Sequence, residues 1–410
     1  NFSSGAKCKY INTFRATNSG NRRVLMKYRS FGKLDFKVSA LGFGAMRLPT
    51  QVIQGPGNRL DNKIDEPEAI RMVRHAIDMG INYIDTAYGY HGEQSEVFLG
   101  KALKDGYRDR TALATKSPVW MIKEPADFDR LLDTQLNRLQ TDHVDFYLLH
   151  SLNGNAWENT VLKHDLLSRM EAAKKAGKIR HMGFSFHGDH DSFVKIIDGF
   201  DKWEFCQIQY NYMDIENQAG MKGLKYAASK GLAVVIMEPL LGGRLANPPK
   251  DVRAIMEETD PAKSPVGWAL DWLWSQPEVS VVLSGMSTMK QLEENIALAD
   301  KSEVGKFGRN ELDVIDRIRG KYSERIAIPC TGCGYCVPCP NNVAIPRNFS
   351  IYNDGVMHDD MEGARVAYNN FFSKENHASN CVRCGACETK CPQGIAIMDW
   401  LEKVDKALSN

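Results

Sequence analysis

The chain has almost no charge imbalance: 52 Lys and Arg face 51 Asp and Glu across 410 residues, a net charge of +1. A nucleic-acid binder normally carries a strong basic excess, so that class is set aside. No apolar run is long enough to cross a bilayer, so no membrane partner is expected. Cysteines are missing from most of the chain, since eight of the ten lie between residues 330 and 391. Cysteines confined in this way do not make a disulfide framework; they suit a reducing compartment, and a cytoplasmic location is expected. There is no internal repeat beyond the strand–helix alternation described below. Residues 1–25 are rich in Asn, Ser, Arg and Lys, without an apolar period or a secretory core, and read as a disordered or non-native leader. Cys8 lies in that leader and has no assigned role, whereas Cys206 sits in an apolar run and reads as a buried thiol.

The cysteines that are present form two runs. Cys330, Cys333, Cys336 and Cys339 are followed by Pro340; Cys381, Cys384, Cys387 and Cys391 are followed by Pro392. The second run has the bacterial ferredoxin spacing, and the first departs from it only in its last gap. Structural zinc is the alternative, because paired C-x2-C motifs also hold zinc. Three thiolates at consecutive two-residue gaps, twice over, favour two 4Fe–4S clusters. In two-cluster ferredoxins the fourth cysteine of each run ligates the other cluster. By that logic Cys339 completes the second cluster and Cys391 the first. Helical patterning at Gly355–Phe372 fills part of the stretch between the runs.

From residue 40 short apolar runs alternate with helical patterns. The runs are Ala40–Met46, Ile81–Thr86, Thr111–Lys116, His143–His150, His181–Ser185, Glu204–Gln209, Leu232–Met237 and Val279–Ser284, preceded by strand-like alternation over Lys27–Val38. Most of them are too continuously apolar for strands with one wet face, as expected of parallel strands covered on both sides. Eight repeats predict an α/β fold, a (β/α)8 TIM barrel over 26–325, with a small, mainly helical ferredoxin-like iron–sulfur domain over 326–410. A doubly wound sheet is the runner-up, but Gly42-Phe-Gly44 lacks the third glycine and the spacing of its phosphate fingerprint. Trp268, Trp272 and Trp274 at helical spacing read as core, and Lys222, Lys225 and Lys230 as a solvated helix face.

Asp85, Lys116 and His150 each stand at the C-terminal end of a predicted strand, and Tyr90 lies in the loop after Asp85. A barrel brings such positions to one mouth, where its chemistry is kept. The stretch Asp85-Thr-Ala-Tyr-Gly-Tyr90 with Gly92, Ser95 and Glu96 resembles the signature loop of the aldo-keto reductases. Together with the cysteine domain, the chain resembles the branch fused to a C-terminal 4Fe–4S ferredoxin-type domain. The resemblance implies an oxidoreductase interconverting a carbonyl and an alcohol, with Tyr90 as proton donor, Lys116 lowering its pKa, Asp85 holding Lys116, and His150 orienting the substrate. It further implies NAD(P) binding, with Ser185 and Gln207 on the carboxamide and Gly285, Ser287, Thr288, Gln291 and Asn295 along the pyrophosphate and adenosine. Phe186 stands where the family has Asn, Met237 where it stacks a tyrosine, and Lys290 is the cation left near a 2′-phosphate.

A hydride carries two electrons and a 4Fe–4S cluster passes one. The clusters therefore either work through a flavin, reach the substrate directly or are structural. The expected partners are a small carbonyl substrate and a redox protein such as ferredoxin. The competing reading is a non-catalytic redox relay or sensor whose barrel only binds cofactor; the complete set Asp85, Tyr90, Lys116 and His150 favours the enzyme.

Overall fold

The computed structural model describes residues 26–51 and 63–409. The expected leader, Cys8 included, lies outside the described residues. By compactness the chain divides into two units: one runs to Pro239 and resumes over Leu270–Lys306, and the other combines Leu240–Ala269 with the chain from Phe307 onward. Among the described residues no helix is long and apolar enough to cross a membrane.

The first unit is a closed parallel barrel. Its strands are β3 (Leu41–Gly44), β4 (Tyr83–Asp85), β5 (Ala112–Ser117), β6 (Val144–Leu152), β7 (Ile179–Phe186), β8 (Phe205–Gln209), β9 (Ala233–Met237) and β10 (Val279–Gly285). Each pairs with its sequence neighbours, and β10 closes on β3. All eight expected runs are strands. Their continuous apolar character has the cause inferred for it, since β3, β4 and β5 are buried at every position. Helices cover the outside, with Gly177 and Gly231 at positive φ where two of them end. Cys206, Trp268, Trp272 and Trp274 are buried, and Trp274 Nε1 donates to Ala40 O at 2.8 Å. Lys222, Lys225 and Lys230 are exposed.

The alternation over Lys27–Val38 is not one strand but an antiparallel hairpin, β1 (Tyr28–Phe31) with β2 (Leu34–Ser39). The two-residue period runs through the turn, which is why the sequence pattern hides it. Phe31 at the tip is fully buried among Tyr83, Phe146 and Phe205, near the starts of their strands, so the hairpin plugs the barrel floor. Gly32 makes the turn at φ 55°, and a Cβ there would lie 2.5 Å from Ala233 N. Gly32→Ala is therefore expected to destabilise the barrel by about 2 kcal/mol, through overpacking against a backbone that cannot yield. A thermal midpoint unchanged from wild type would refute the plug.

The second unit is mainly helical: Lys250–Thr259, Arg309–Glu324, Ile345–Met357, Met361–Phe371 and Ile397–Leu408. Its core joins Ile345, Phe349, Tyr368, Leu401 and Val404, with both cysteine runs packed against it. The helix expected over Gly355–Phe372 is broken at Asp359, φ 53°. Asp360 then caps the following helix, accepting from Gly363 N at 2.9 Å.

Candidate active site

Asp85 ends β4, Lys116 is the penultimate residue of β5, and His150 lies near the end of β6, so adjacent parallel strands deliver all three to one mouth. Asp85 and Lys116 are almost fully buried, with Lys116 Nζ donating to Asp85 Oδ1 at 2.7 Å and to Thr86 O at 2.7 Å. The same ammonium reaches Tyr90 Oη at 3.4 Å. The Tyr90 and His150 rings meet edge to face at 6.2 Å. The loop that carries Tyr90 is tied down by the rest of its motif. Thr86 Oγ1 and Ser95 Oγ share a hydrogen bond at 2.8 Å, and Ser95 Oγ donates to Ala45 O at 3.1 Å. Buried Glu96 accepts from Thr115 Oγ1 and Gln135 Nε2, both at 2.6 Å.

Burial sets the electrostatics. It pushes the Lys116 ammonium down, but Asp85 and Tyr90 together outweigh it, so the group stands above its ordinary value and stays charged at neutral pH. Burial likewise raises Asp85 against the pull of Lys116. Tyr90 corrects the sequence reading: Lys116 does pull its pKa down, yet burial is larger and leaves the phenol raised. His150 is held well below its usual value by burial, then by Lys116 and His187, so its imidazole is neutral at neutral pH.

Ser185 and Gln207 are buried near the ends of β7 and β8. Ser185 Oγ accepts from Ser151 N at 2.7 Å. Gln207 Nε2 donates weakly to Met237 Sδ at 3.7 Å, while its Oε1 is buried and lacks a partner among the described residues. After β10, Ser287 N donates to Gln291 Oε1 at 2.8 Å, Thr288 caps the helix Met289–Ala299 by accepting from Gln291 N at 3.2 Å, and buried Asn295 donates to Ser284 Oγ at 3.0 Å. Gly285 is exposed beside the Arg47 side chain, and Lys290 lies in solvent, 3.8 Å from Glu294. Three residues at this mouth escaped the sequence reading. Trp120, 58% exposed, packs 5.0 Å from the His150 ring; His187 is in contact with Gln218 at 3.2 Å; Arg47 O accepts from Ser287 Oγ at 2.9 Å. All three follow strand ends, Trp120 within the short helix Val119–Met121, where only the neighbouring strand end signals them.

In the second unit the eight cysteines surround two cavities. Cys330, Cys333, Cys336 and Cys391 line one; Cys339, Cys381, Cys384 and Cys387 line the other, with Cys336 at the wall between them. Cys336 lies within electrostatic reach of Cys330, Cys333 and Cys391. Among the described residues no three His, Cys, Asp or Glu side chains converge closely enough to hold a single metal ion.

Residues 40–309 match the aldo/keto reductase family, and residues 329–396 match the 4Fe-4S dicluster domain. L-galactose dehydrogenase of Arabidopsis thaliana is 29% identical over 312 residues, 72% of this chain and 94% of that protein. The NADH-specific methylglyoxal reductase of Escherichia coli is 24% identical over 317 residues, 66% of this chain and 93% of its own length. Among solved structures, aldo-keto reductase AKR11C1 from Bacillus halodurans in its holo form superposes with a TM-score of 0.58 at 26% identity, covering 72% of this chain and 96% of that one. An aldo-keto reductase from Klebsiella pneumoniae in complex with NADPH shares the fold, with a TM-score of 0.58 at 24% identity over 72% of this chain and 95% of that one. A family match over most of the chain, joined to this barrel and mouth, makes the assignment: the chain is an oxidoreductase of the aldo/keto reductase family, carrying a 4Fe-4S dicluster domain after its barrel.

Proposed function

We propose that this enzyme interconverts a small carbonyl compound and its alcohol, using a nicotinamide nucleotide at the barrel mouth and two 4Fe–4S clusters in the second unit. The observation that carries the proposal is the buried chain Asp85–Lys116–Tyr90 beside His150. A bound nicotinamide supplies or takes the hydride. Gln207 Oε1, buried without a partner among the described residues, suits the carboxamide N–H of that ring. Tyr90 Oη gives its proton to the carbonyl oxygen as carbon receives hydride, and Lys116, fixed by Asp85, stabilises the phenolate left behind. His150, neutral, donates one N–H to the same oxygen and so orients the substrate. The raised phenol keeps Tyr90 protonated at neutral pH, the form from which it can give its proton. The names of the relatives, a galactose dehydrogenase and a methylglyoxal reductase, support a small polar substrate.

In the second unit, four thiols around each cavity fit a polynuclear cluster, whose ligands lie further apart than those of one ion. Such clusters supply or accept single electrons, which points to a one-electron carrier protein such as ferredoxin as partner. Anaerobic turnover of an aldehyde and ketone panel tests the proposal. Carbonyl-dependent oxidation of NADH or NADPH is expected, together with saturable binding of that nucleotide to the resting protein. If neither nucleotide binds, the nicotinamide reading fails.

A further inference from the structure

The inward face of the barrel can be followed strand by strand. Ala233 and Val235 of β9 join Phe205 of β8 and Ala114 of β5 in the interior core. Successive strand residues alternate faces, so two positions further along the same side come Met237, Gln207 and Lys116. The contact of Met237 Sδ with Gln207 Nε2 at 3.7 Å fits that placement. By the same alternation Glu238 belongs to the outer face. The backbone turns it away from there: its φ is 56°, and its carboxylate comes within electrostatic reach of Tyr90 and His187 at the mouth.

A residue other than glycine holds a positive φ only where its surroundings impose it. Two hydrogen bonds do so here. Tyr210 N donates to Met237 O at 3.2 Å, and Asn211 Nδ2 donates to Glu238 O at 3.1 Å. Asn211 is itself fully buried and fixed, since its Oδ1 accepts from Met213 N and Asp214 N, both at 3.0 Å. The peptides on either side of the Glu238 Cα are thus clamped. Its side chain is not: among the described residues no hydrogen bond or ion pair engages the Glu238 carboxylate.

Lys116 and Asp85, the stronger charges on Tyr90, neutralise each other in their ion pair. Glu238 therefore brings an uncompensated negative charge to the place where Tyr90 meets the substrate oxygen. It also follows directly on Met237, which packs against the amide assigned to the nicotinamide carboxamide. A carbonyl within reach of Tyr90 and a carboxamide on Gln207 confine the ring to this same corner of the mouth. Hydride transfer changes the charge of that ring. The hydride leaves with the electron pair of its C–H bond and forms a new C–H bond at the carbonyl carbon, while the Tyr90 proton goes to the oxygen. A neutral dihydronicotinamide thereby becomes a singly positive nicotinamide, and a fixed negative charge nearby tells the two apart.

We propose that Glu238 is a specificity-determining residue for the redox state of the nucleotide: its carboxylate favours the oxidised form over the reduced one. The inference rests on the nicotinamide reading above. It makes the bound reduced nucleotide a stronger hydride donor than the free one.

The test measures Kd for NAD+, NADH, NADP+ and NADPH by calorimetry on anaerobic wild-type, Glu238→Gln and Glu238→Asp holoproteins of equal iron content. Glu238→Gln keeps the size of the side chain and removes its charge. It is expected to raise Kd for the oxidised nucleotide about tenfold and leave Kd for the reduced one nearly unchanged, the scale of one charge pair in a partly solvated site. A tenfold change in that ratio raises the potential of the bound two-electron couple by about 30 mV. Glu238→Asp keeps the charge and retains part of the wild-type discrimination. A wild-type ratio of the two constants in Glu238→Gln overturns the proposal, as does an equal loss of affinity for both forms, which marks a merely structural residue. A higher KM for the carbonyl with an unchanged ratio also overturns it and moves the carboxylate to the substrate. If wild type binds no nucleotide of either kind, the cofactor reading fails and this inference fails with it.

Discussion

Tyr90→Phe is expected to lower kcat for carbonyl reduction by about 10²–10⁴-fold, the usual contribution of a positioned general acid, while nucleotide affinity stays near wild type. The substitution removes one hydroxyl that contacts Lys116 Nζ at 3.4 Å and keeps the ring beside His150, so the fold has little reason to respond. Full kcat in this variant would remove Tyr90 from the mechanism. The pH dependence carries a sign as well. Reduction uses the protonated phenol, so its rate holds through neutral pH and falls only as pH rises through the elevated Tyr90 pKa. Oxidation of the alcohol uses the phenolate and gains over the same interval. Lys116 is the group drawing that pKa down, so Lys116→Met moves the basic limb of reduction further up while lowering the rate. It also leaves Asp85 as a buried carboxylate without its counter-ion, a change that typically costs about 3–5 kcal/mol, so the profile is to be read on protein shown to remain folded.

The barrel was legible because parallel strands buried on both faces write themselves as short, unbroken apolar runs, and the mouth because polar residues at the C-terminal ends of such runs converge. What the sequence concealed has physical causes. In the hairpin, the two-residue period passes through Gly32 and Lys33 without a break. Near Asp359 an apolar helical period continues across a turn that exists because Asp360 caps a new helix. By compactness Leu240–Ala269, between two barrel strands in sequence, groups with the chain from Phe307 onward. Arg244 with Asp354, 110 residues on, and Arg325 with Asp251, 74 residues back, make that association, and no local pattern records it. For Tyr90 the sequence displayed the neighbouring cation but not the burial that outweighs it.

The second large effect concerns metal. Anaerobically purified protein is expected to hold about eight irons and eight acid-labile sulfides per chain, as two 4Fe–4S clusters require. Zinc without labile sulfide would refute the clusters outright. Single substitutions such as Cys384→Ser, at an exposed thiol, are expected to reduce iron to about four. They do not reveal which cysteines act together; pairs do. Cys330 and Cys391 lie in different runs yet line the same cavity. The double variant Cys330→Ser, Cys391→Ser therefore damages one cluster and should retain about four irons, as either single variant does. Cys330→Ser with Cys384→Ser takes one ligand from each cavity and should leave almost none. If each run instead closed on its own cluster, both double variants would lose all their iron, and the shared lining of Cys330 with Cys391 would have no part in metal binding. The contrast between the two doubles isolates the crossing itself, since each removes the same number of thiols from the same two stretches of chain.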